Sequence, residues 1–234
     1  MIASAGIATL ELPQVLSREW GDVHPYGNPH VWLDPLNAKD MAETIAKALV
    51  VLDPEHAEGY RLRLETFQAR VDEALFGRAL VEEVGGDKLA RLARQGRLDD
   101  YLAQKGLAGK VGGWSREAEP LRGRPIVTYH KTAVYLAARF GFRVPIEIEE
   151  KPGIPPSARH RDRVLEILRE QGVRTILQEI FYERSAAEYL AVRSGANVVA
   201  LPIDVGEEVG ARDYFALIDL ILEKLVQSET RRGG

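Results

Sequence analysis

Hydrophobic residues recur at the spacing of an α-helix in the first part of the chain. One stripe consists of Met41, Ile45, Ala48, Leu49 and Leu52. This spacing places the side chains on one face of a helix, and Asn37 is a suitable N-cap for it. Asp53 and Pro54 end this helix, and Pro54 suits the first turn of the next one.

A second stripe follows directly. It consists of Tyr60, Leu64, Phe67, Val71 and Leu75. It predicts a helix of about 22 residues, or about 33 Å at the α-helical rise, which is long enough to connect two lobes. Residues 77–123 have no comparable period, and glycines punctuate short helical stretches there.

The second half of the chain alternates short apolar runs with amphipathic segments. The apolar runs are RPIVTY at 124–129, FRVPIEI at 142–148, VRTILQ at 173–178 and NVVALPI at 197–203. They predict four strands, and the amphipathic segments predict four helices, with Gly141 ending one and Ser157 capping another. Alternating strands and helices indicate an α/β fold with a four-stranded parallel sheet flanked by helices.

Composition narrows the chemistry. The chain has 234 residues, which suffices for one large domain or two small ones with a hydrophobic core. A net charge of −4 gives no indication of a nucleic-acid-binding surface. The absence of cysteine excludes disulfides, thiolate metal sites and cysteine nucleophiles. No run approaches the about 20 apolar residues of a membrane span, and no signal peptide is predicted in the opening residues.

Polar residues follow two of the predicted strands. His130 comes directly after RPIVTY, and Asp204 comes directly after NVVALPI. Ligands of open parallel sheets bind beyond the carboxyl ends of the strands. His30, in GNPHVWLDP, precedes the first helix. Two imidazoles and a carboxylate suit zinc, manganese or iron, so His30, His130 and Asp204 are candidate metal ligands.

Each of these residues also has a structural interpretation. His130 would be a hydrogen-bonded turn residue, and Asp204 a turn or helix-cap residue. His30 would pack between its apolar neighbours. His24, six residues before His30, would be a loop residue or an auxiliary ligand.

Motifs of common enzyme classes are absent. There is no GxGxxG after a strand, no P-loop and no GxSxG. Glu179 and Glu183 form a carboxylate pair of the kind used for acid–base work, although this spacing is common on surfaces. Two histidines and a carboxylate also occur in non-haem iron oxygenases and hydrolytic zinc sites, but no convincing general base accompanies them here.

Four segments together resemble the metal-binding solute-binding proteins of bacterial ABC importers for zinc and manganese. They are NPHVWLDPLNAKDMAETIAKAL, LDPEHAEGYRLRLETFQARVDEAL, IVTYHKTAVYLAARFGF and ANVVALPIDVG. In order, they are similar to the family's second-ligand motif, the start of its inter-lobe helix, its third-ligand motif and the segment with an aspartate ligand. The resemblance implies that His30, His130 and Asp204 are the second, third and fourth metal ligands.

The resemblance implies a metal carrier rather than an enzyme. Histidine at the third ligand position is similar to the zinc-type members, so Zn²⁺ is the expected ion and Mn²⁺ the alternative. The implied partner is the membrane permease of an ABC importer, and the implied location is the periplasm or cell surface. The alternative function is that of a degenerate or truncated relative acting as a metal-free interaction or adhesin protein.

The resemblance also implies a truncated amino-terminal lobe, because family members carry a long segment with the first histidine ligand before the first motif. The expected organisation is a remnant of that lobe at 1–53, the long linking helix at 54–80 and the carboxyl-terminal α/β lobe at 81–234. A reduced lobe would expose the apolar face of the first helix and favour homodimerisation. Three ligands would leave an open coordination position for water or for His24 of another chain.

Overall fold

A computed structural model describes residues 1–12, 26–151 and 153–230 of the chain. Its α-helices in these ranges are α1 (Pro35–Leu52), α2 (Ala57–Phe76), α3 (Arg78–Val84), α4 (Gly86–Arg94), α5 (Leu98–Lys105), α6 (Gly113–Glu117), α7 (Val134–Phe140), α8 (Ala158–Glu170), α9 (Ser185–Ser194) and α10 (Tyr214–Thr230). Its strands are β1 (Ile126–Thr128), β2 (Thr175–Glu179) and β3 (Asn197–Leu201). None of the helices so described is long and apolar enough to cross a membrane.

The chain divides into two compact units. The helical unit comprises Met1–Ala8 and Asp34–Glu119, and the α/β unit comprises Thr9–Leu33 and Pro120–Gly234. The α/β unit is therefore assembled from two separate stretches of sequence. The division into a lobe remnant at 1–53, a linking helix at 54–80 and a carboxyl-terminal lobe at 81–234 stays a prediction.

Helix α1 begins earlier than the stripe predicts. Asp34 is its N-cap, and the Asp34 carboxylate accepts a hydrogen bond from Leu36 N at 2.9 Å. The predicted cap, Asn37, is buried inside the helix. The helix starts at Asp34-Pro35 because the Asp34 carboxylate accepts a hydrogen bond from a backbone N–H group of the first turn. Proline suits the first helical position, since it has no N–H group that would need a partner.

Helix α2 has 20 residues, close to the predicted length, and ends at Gly77. Gly77 has a φ of 85°, and a Cβ atom there would lie 2.6 Å from Gly112 Cα. Only glycine fits both the conformation and the space. The predicted linking segment 54–80 therefore contains a break between α2 and α3, and short helices occupy most of the region that the sequence pattern left unassigned.

A buried ion pair joins α1 to α2. Lys39 Nζ lies 2.7 Å from both carboxylate oxygens of Asp72, and the two side chains are 6% and 8% exposed. Burial raises the pKa of Asp72, while the hydrogen bonds and charge of Lys39 act in the opposite direction. Asp72 depends on Lys39, because its charge alone would be buried without compensation, whereas Lys39 Nζ also lies 3.6 Å from the exposed Asp87 carboxylate.

The α/β unit is built on a parallel sheet in the order β1-β2-β3. Its core packs sheet residues such as Val127 and Ile176 against Val164 and Leu168 of α8 and Leu190 of α9. Ser157 caps α8, and Gly141 ends α7 in the left-handed conformation, as predicted. The α/β fold class with a parallel sheet flanked by helices is confirmed.

The sheet has three strands in the described ranges, where the sequence pattern predicts four. The predicted strand at 142–148 forms only two isolated parallel bridges, from Arg143 to Pro125 and from Glu147 to Thr128. Pro145 lies between them and has no N–H group to donate to a ladder. The segment still runs beside β1, so its end reaches the carboxyl edge of the sheet.

Candidate metal centre

His30 is held by the side chain of Asn28. The Asn28 amide nitrogen donates to the Lys131 carbonyl oxygen at 2.6 Å and to Glu11 Oε2 at 3.1 Å. Because both partners accept, the amide oxygen faces the other way, towards His30 N at 3.0 Å and His30 Nδ1 at 2.9 Å. Nδ1 of a neutral His30 therefore carries the proton, and Nε2 carries the lone pair that a metal ion needs.

The backbone around Asn28 is anchored within the α/β unit. Asn28 N donates to the Leu10 carbonyl oxygen, and Tyr135 Oη donates to the Asn28 carbonyl oxygen, both at 2.8 Å. Gly27 has a φ of 91°, and a Cβ atom there would lie 2.7 Å from the Thr9 hydroxyl. The close approach of Thr9 thus requires glycine immediately before Asn28.

Trp32 fixes the same segment to the loop after β3. Its indole nitrogen donates to the Ile203 carbonyl oxygen at 2.9 Å, and Tyr214 Oη donates to the Trp32 carbonyl oxygen at 2.8 Å. The segment that carries His30 is therefore bonded directly to the residue before Asp204.

His130 follows β1 and is held by Glu149. Its Nδ1 lies 2.5 Å from Glu149 Oε2, and Glu149 Oε1 accepts from Gly153 N at 2.9 Å. The side chains of His130 and Glu149 are 12% and 5% exposed. A carboxylate only accepts, so Nδ1 of His130 carries a proton and Nε2 is the metal-binding nitrogen of the neutral ring.

The two imidazoles lie next to each other. Their ring centroids are 5.8 Å apart, and the ring planes meet at 76°. Aromatic rings flank the pair, with Trp32 at 5.4 Å from His30 and Tyr182 at 6.0 Å from His130. The fold thus brings together two residues that are far apart in sequence, each with its Nδ1 directed to a hydrogen-bond acceptor.

Asp204 is exposed in the loop after β3. Ile203 N and Asp204 N donate to Glu207 Oε2 at 2.7 and 3.1 Å. Desolvation and the neighbouring Glu207 charge raise the pKa of Asp204. Across residues 1–12, 26–151 and 153–230, no three His, Asp or Glu side chains form a group that could hold a metal ion. The three-ligand set stays a prediction, and His24 lies outside the described residues.

Glu179 and Glu183 occupy different environments. Glu179 is 1% exposed, so its interpretation as a surface residue is wrong. Glu183 is exposed and accepts from Ser185 N at 2.9 Å, and hydrogen bonds from Ser185 lower the Glu183 pKa. Glu179 is the last residue of β2, whose five residues are all buried, and this explains why Glu179 is buried too.

Asn28 and Glu149, which hold the two imidazoles, were not predicted from the sequence. The first left a local signal, because asparagine commonly bonds to the backbone N–H two residues later. Glu149 left none, since its bond to His130 depends on the bridged segment at 142–148 running beside β1. This site combines two oriented imidazoles with a buried carboxylate at the carboxyl edge of a parallel sheet, an arrangement that suits the class of divalent-metal-binding proteins.

Comparison with known families agrees with this class. The family described as ZnuA, zinc-uptake complex component A, periplasmic, matches residues 2–75 and 108–228. The chain belongs to this family, so the predicted resemblance is confirmed.

Individual relatives are distant but cover most of the chain. The iron-binding protein YfeA of Yersinia pestis is 25% identical over 233 residues, or 97% of this chain and 61% of YfeA. The high-affinity zinc uptake system protein ZnuA of Brucella abortus is 25% identical over 154 residues, or 66% of this chain and 35% of that protein. The chain therefore spans less than two thirds of the length of either relative.

A solved structure shares the fold. The laminin-binding protein Lmb of Streptococcus agalactiae, described as having adhesin and metal-transporting activity, aligns with a TM-score of 0.69 and 22% identity. The alignment covers 98% of this chain and 71% of Lmb. The family and relatives named here are metal-binding and metal-uptake proteins rather than enzymes, as the resemblance implies.

Proposed function

We propose that this protein captures a divalent metal ion and delivers it to the membrane permease of an ABC importer. The observation that carries the proposal is the pair of adjacent imidazoles of His30 and His130, each with its Nδ1 directed to a separate acceptor. An acceptor bonded to the far nitrogen of a metal-binding histidine fixes the ring and raises the basicity of the metal-binding nitrogen. Membership of a metal-uptake family supports the same function.

Asp204 is the proposed third ligand and supplies an anionic oxygen. It lies one residue after Ile203, which is bonded to the His30 segment through Trp32. We propose that the ion would draw the Asp204 carboxylate towards His30, whose segment is bonded to the residue before Asp204.

Zn²⁺ is the proposed cargo and Mn²⁺ the alternative. Two imidazole nitrogens and one carboxylate oxygen form a common zinc ligand set, and the chain has no thiolate to favour softer ions. The names of the relatives specify zinc for one and iron for another, so a competition among ions is the appropriate measurement.

The proposed location is the periplasm or cell surface, and the proposed main partner is the ABC permease. A second copy of the chain is the further partner that we propose. Its contact surface is the apolar stripe of α1, where Ile45, Leu49 and Leu52 are 39%, 36% and 79% exposed. Neighbouring exposed apolar residues at this surface favour self-association.

Titration calorimetry of chelator-stripped protein with Zn²⁺, Mn²⁺ and Fe²⁺ tests the function. Wild-type protein is expected to bind Zn²⁺ most tightly. His130→Ala is expected to weaken Zn²⁺ binding by more than about a hundredfold, because removing a ligand costs more affinity than the about 10–100-fold lost when a residue that only orients a ligand is removed.

His56→Ala is the matched control, because His56 is an exposed histidine of the helical unit that bonds only to Asp53 among the contacts found for it. It is expected to bind as wild type does. Wild-type protein that binds none of the three ions would refute metal capture and favour the metal-free interaction or adhesin function.

A further inference from the structure

We infer that Glu179 is a charge-compensating residue of the metal centre, which strengthens ion capture beside His130 and destabilises the ion-free fold. This inference rests on the proposed function. It assigns Glu179 a role through its charge and not through a bond to the ion.

The backbone places Glu179 at the carboxyl edge of the sheet. It is the last residue of β2, and it pairs with Leu201, the last residue of β3. On the other side, Tyr129 N donates to the Leu177 carbonyl oxygen at 2.8 Å, so the end of β1 lies beside the end of β2. His130 lies two residues after the end of β1, and Glu179 is therefore on the strand next to the one that leads to His130.

The Glu179 side chain has an unfavourable environment. It is 1% exposed, and neither carboxylate oxygen accepts a hydrogen bond from any residue that the structure describes. Burial raises the pKa of Glu179, while the nearby Thr132 side chain, which lies outside hydrogen-bond geometry, acts in the opposite direction. Burying an uncompensated carboxyl group costs stability, so the ion-free fold gains nothing from this residue.

Glu149 shows the contrast. Its two oxygens are occupied by His130 Nδ1 and Gly153 N. Glu149 thus orients the imidazole, whereas Glu179 orients nothing among the described residues. The neighbouring negative charge of Glu149 also raises the pKa of Glu179.

A divalent cation changes this balance. An ion on Nε2 of His130 brings positive charge into a region where charges interact more strongly than in water. Glu179 would then stabilise the ion, and the ion would stabilise ionised Glu179. Such coupling is reciprocal, so the residue that lowers the stability of the ion-free protein raises the affinity for the ion.

A purely structural role for Glu179 predicts the opposite sign for stability. If the carboxyl group supported the fold, its removal would lower the melting temperature of the ion-free protein. Metal affinity and ion-free stability should therefore be measured on the same variants. Glu179→Gln removes the charge, and Glu179→Met also removes the polar atoms at similar length.

The experiment uses the full chain, stripped of metal, with thermal unfolding and Zn²⁺ calorimetry. Both variants are expected to melt above wild type without ion and to bind Zn²⁺ about 10–100-fold more weakly, the range for residues that act on a metal ligand without binding the ion. Glu188→Gln is the control, because it removes one exposed carboxylate of the same unit from α9. It is expected to change neither value appreciably.

The outcomes separate this inference from the proposed function. Unchanged Zn²⁺ affinity in Glu179→Gln, a lower melting temperature in both variants, or failure of both to fold would overturn the inference. Suppose that wild type binds Zn²⁺, that His130→Ala does not, and that Glu179→Gln binds Zn²⁺ as tightly as wild type. In that case only the role assigned to Glu179 is wrong. If wild type binds no ion, the proposed function itself fails.

Discussion

At the residue scale, the orientation of one amide group determines the state of His30. The amide nitrogen of Asn28 has two acceptors, so its oxygen can only face the imidazole. The protonated nitrogen of the neutral ring is thereby fixed before any ion arrives. Asn28 is a positioning residue, and it acts through hydrogen bonds alone.

Asn28→Ala is therefore expected to weaken Zn²⁺ binding by about 10–100-fold, since the amide that fixes the tautomer of His30 is lost. Calorimetry measures this change. Asn197→Ala is the control, because Asn197 is an exposed asparagine at the start of β3. Equal affinities for Asn28→Ala and wild type would show that Asn28 does not prepare His30 for an ion.

Sequence patterns located the two histidines but not what surrounds them. His130 follows an apolar run, so its place at a strand end is readable from local periodicity. Its partner Glu149 is brought by a segment that is 19 positions away and only bridged to β1. The burial of Glu179 depends on neighbours on both sides of β2, which a pattern of spacing alone does not contain.

At the element scale, residues that start, end or interrupt helices and strands determined which boundaries were predicted correctly. Ser157 and Gly141 carry one strong signal each, and both were assigned correctly. Asp34-Pro35 was overlooked in favour of Asn37, although it combines two start signals. Pro145 prevented a continuous strand at 142–148. Gly77 interrupted the predicted linking helix, and glycine is required there because the backbone of Gly112 packs against it.

The ion pair between α1 and α2 has a testable energetic consequence. Lys39→Met is expected to lower the free energy of unfolding by about 3–5 kcal/mol, because Asp72 is left buried without a partner. Chemical denaturation measures the loss. The double variant Lys39→Met, Asp72→Leu removes both charges and is expected to recover most of it. A double variant no more stable than the single one would argue against this explanation.

At the scale of the whole molecule, the apolar stripe of α1 bears on self-association. The pattern of spacing predicted the stripe, and the structure leaves three of its members substantially exposed. The pattern alone does not say what covers such a face, because a core contact and a subunit contact use the same residues. The two-unit organisation could not be read either, since the α/β unit combines stretches separated by the entire helical segment.

Leu49→Glu is expected to shift the protein towards monomer, because a charge in an apolar contact is costly to desolvate. Sedimentation analysis across a concentration series measures the shift. Val192→Glu is the control, since Val192 is 82% exposed on α9 of the other unit. Wild-type protein that stays monomeric throughout the series would contradict the proposed dimer.

The division of the α/β unit into Thr9–Leu33 and Pro120–Gly234 has a consequence for biosynthesis. The ribosome completes the segment that contains His30 long before it makes β1. That segment therefore has no partner from the rest of the α/β unit while residues 34–119 emerge. The helical segment depends mainly on contacts within itself and can fold during this delay, which shortens the loop that must later close. The two histidines therefore meet late, and the ability to hold an ion is acquired only when nearly the whole chain has been translated.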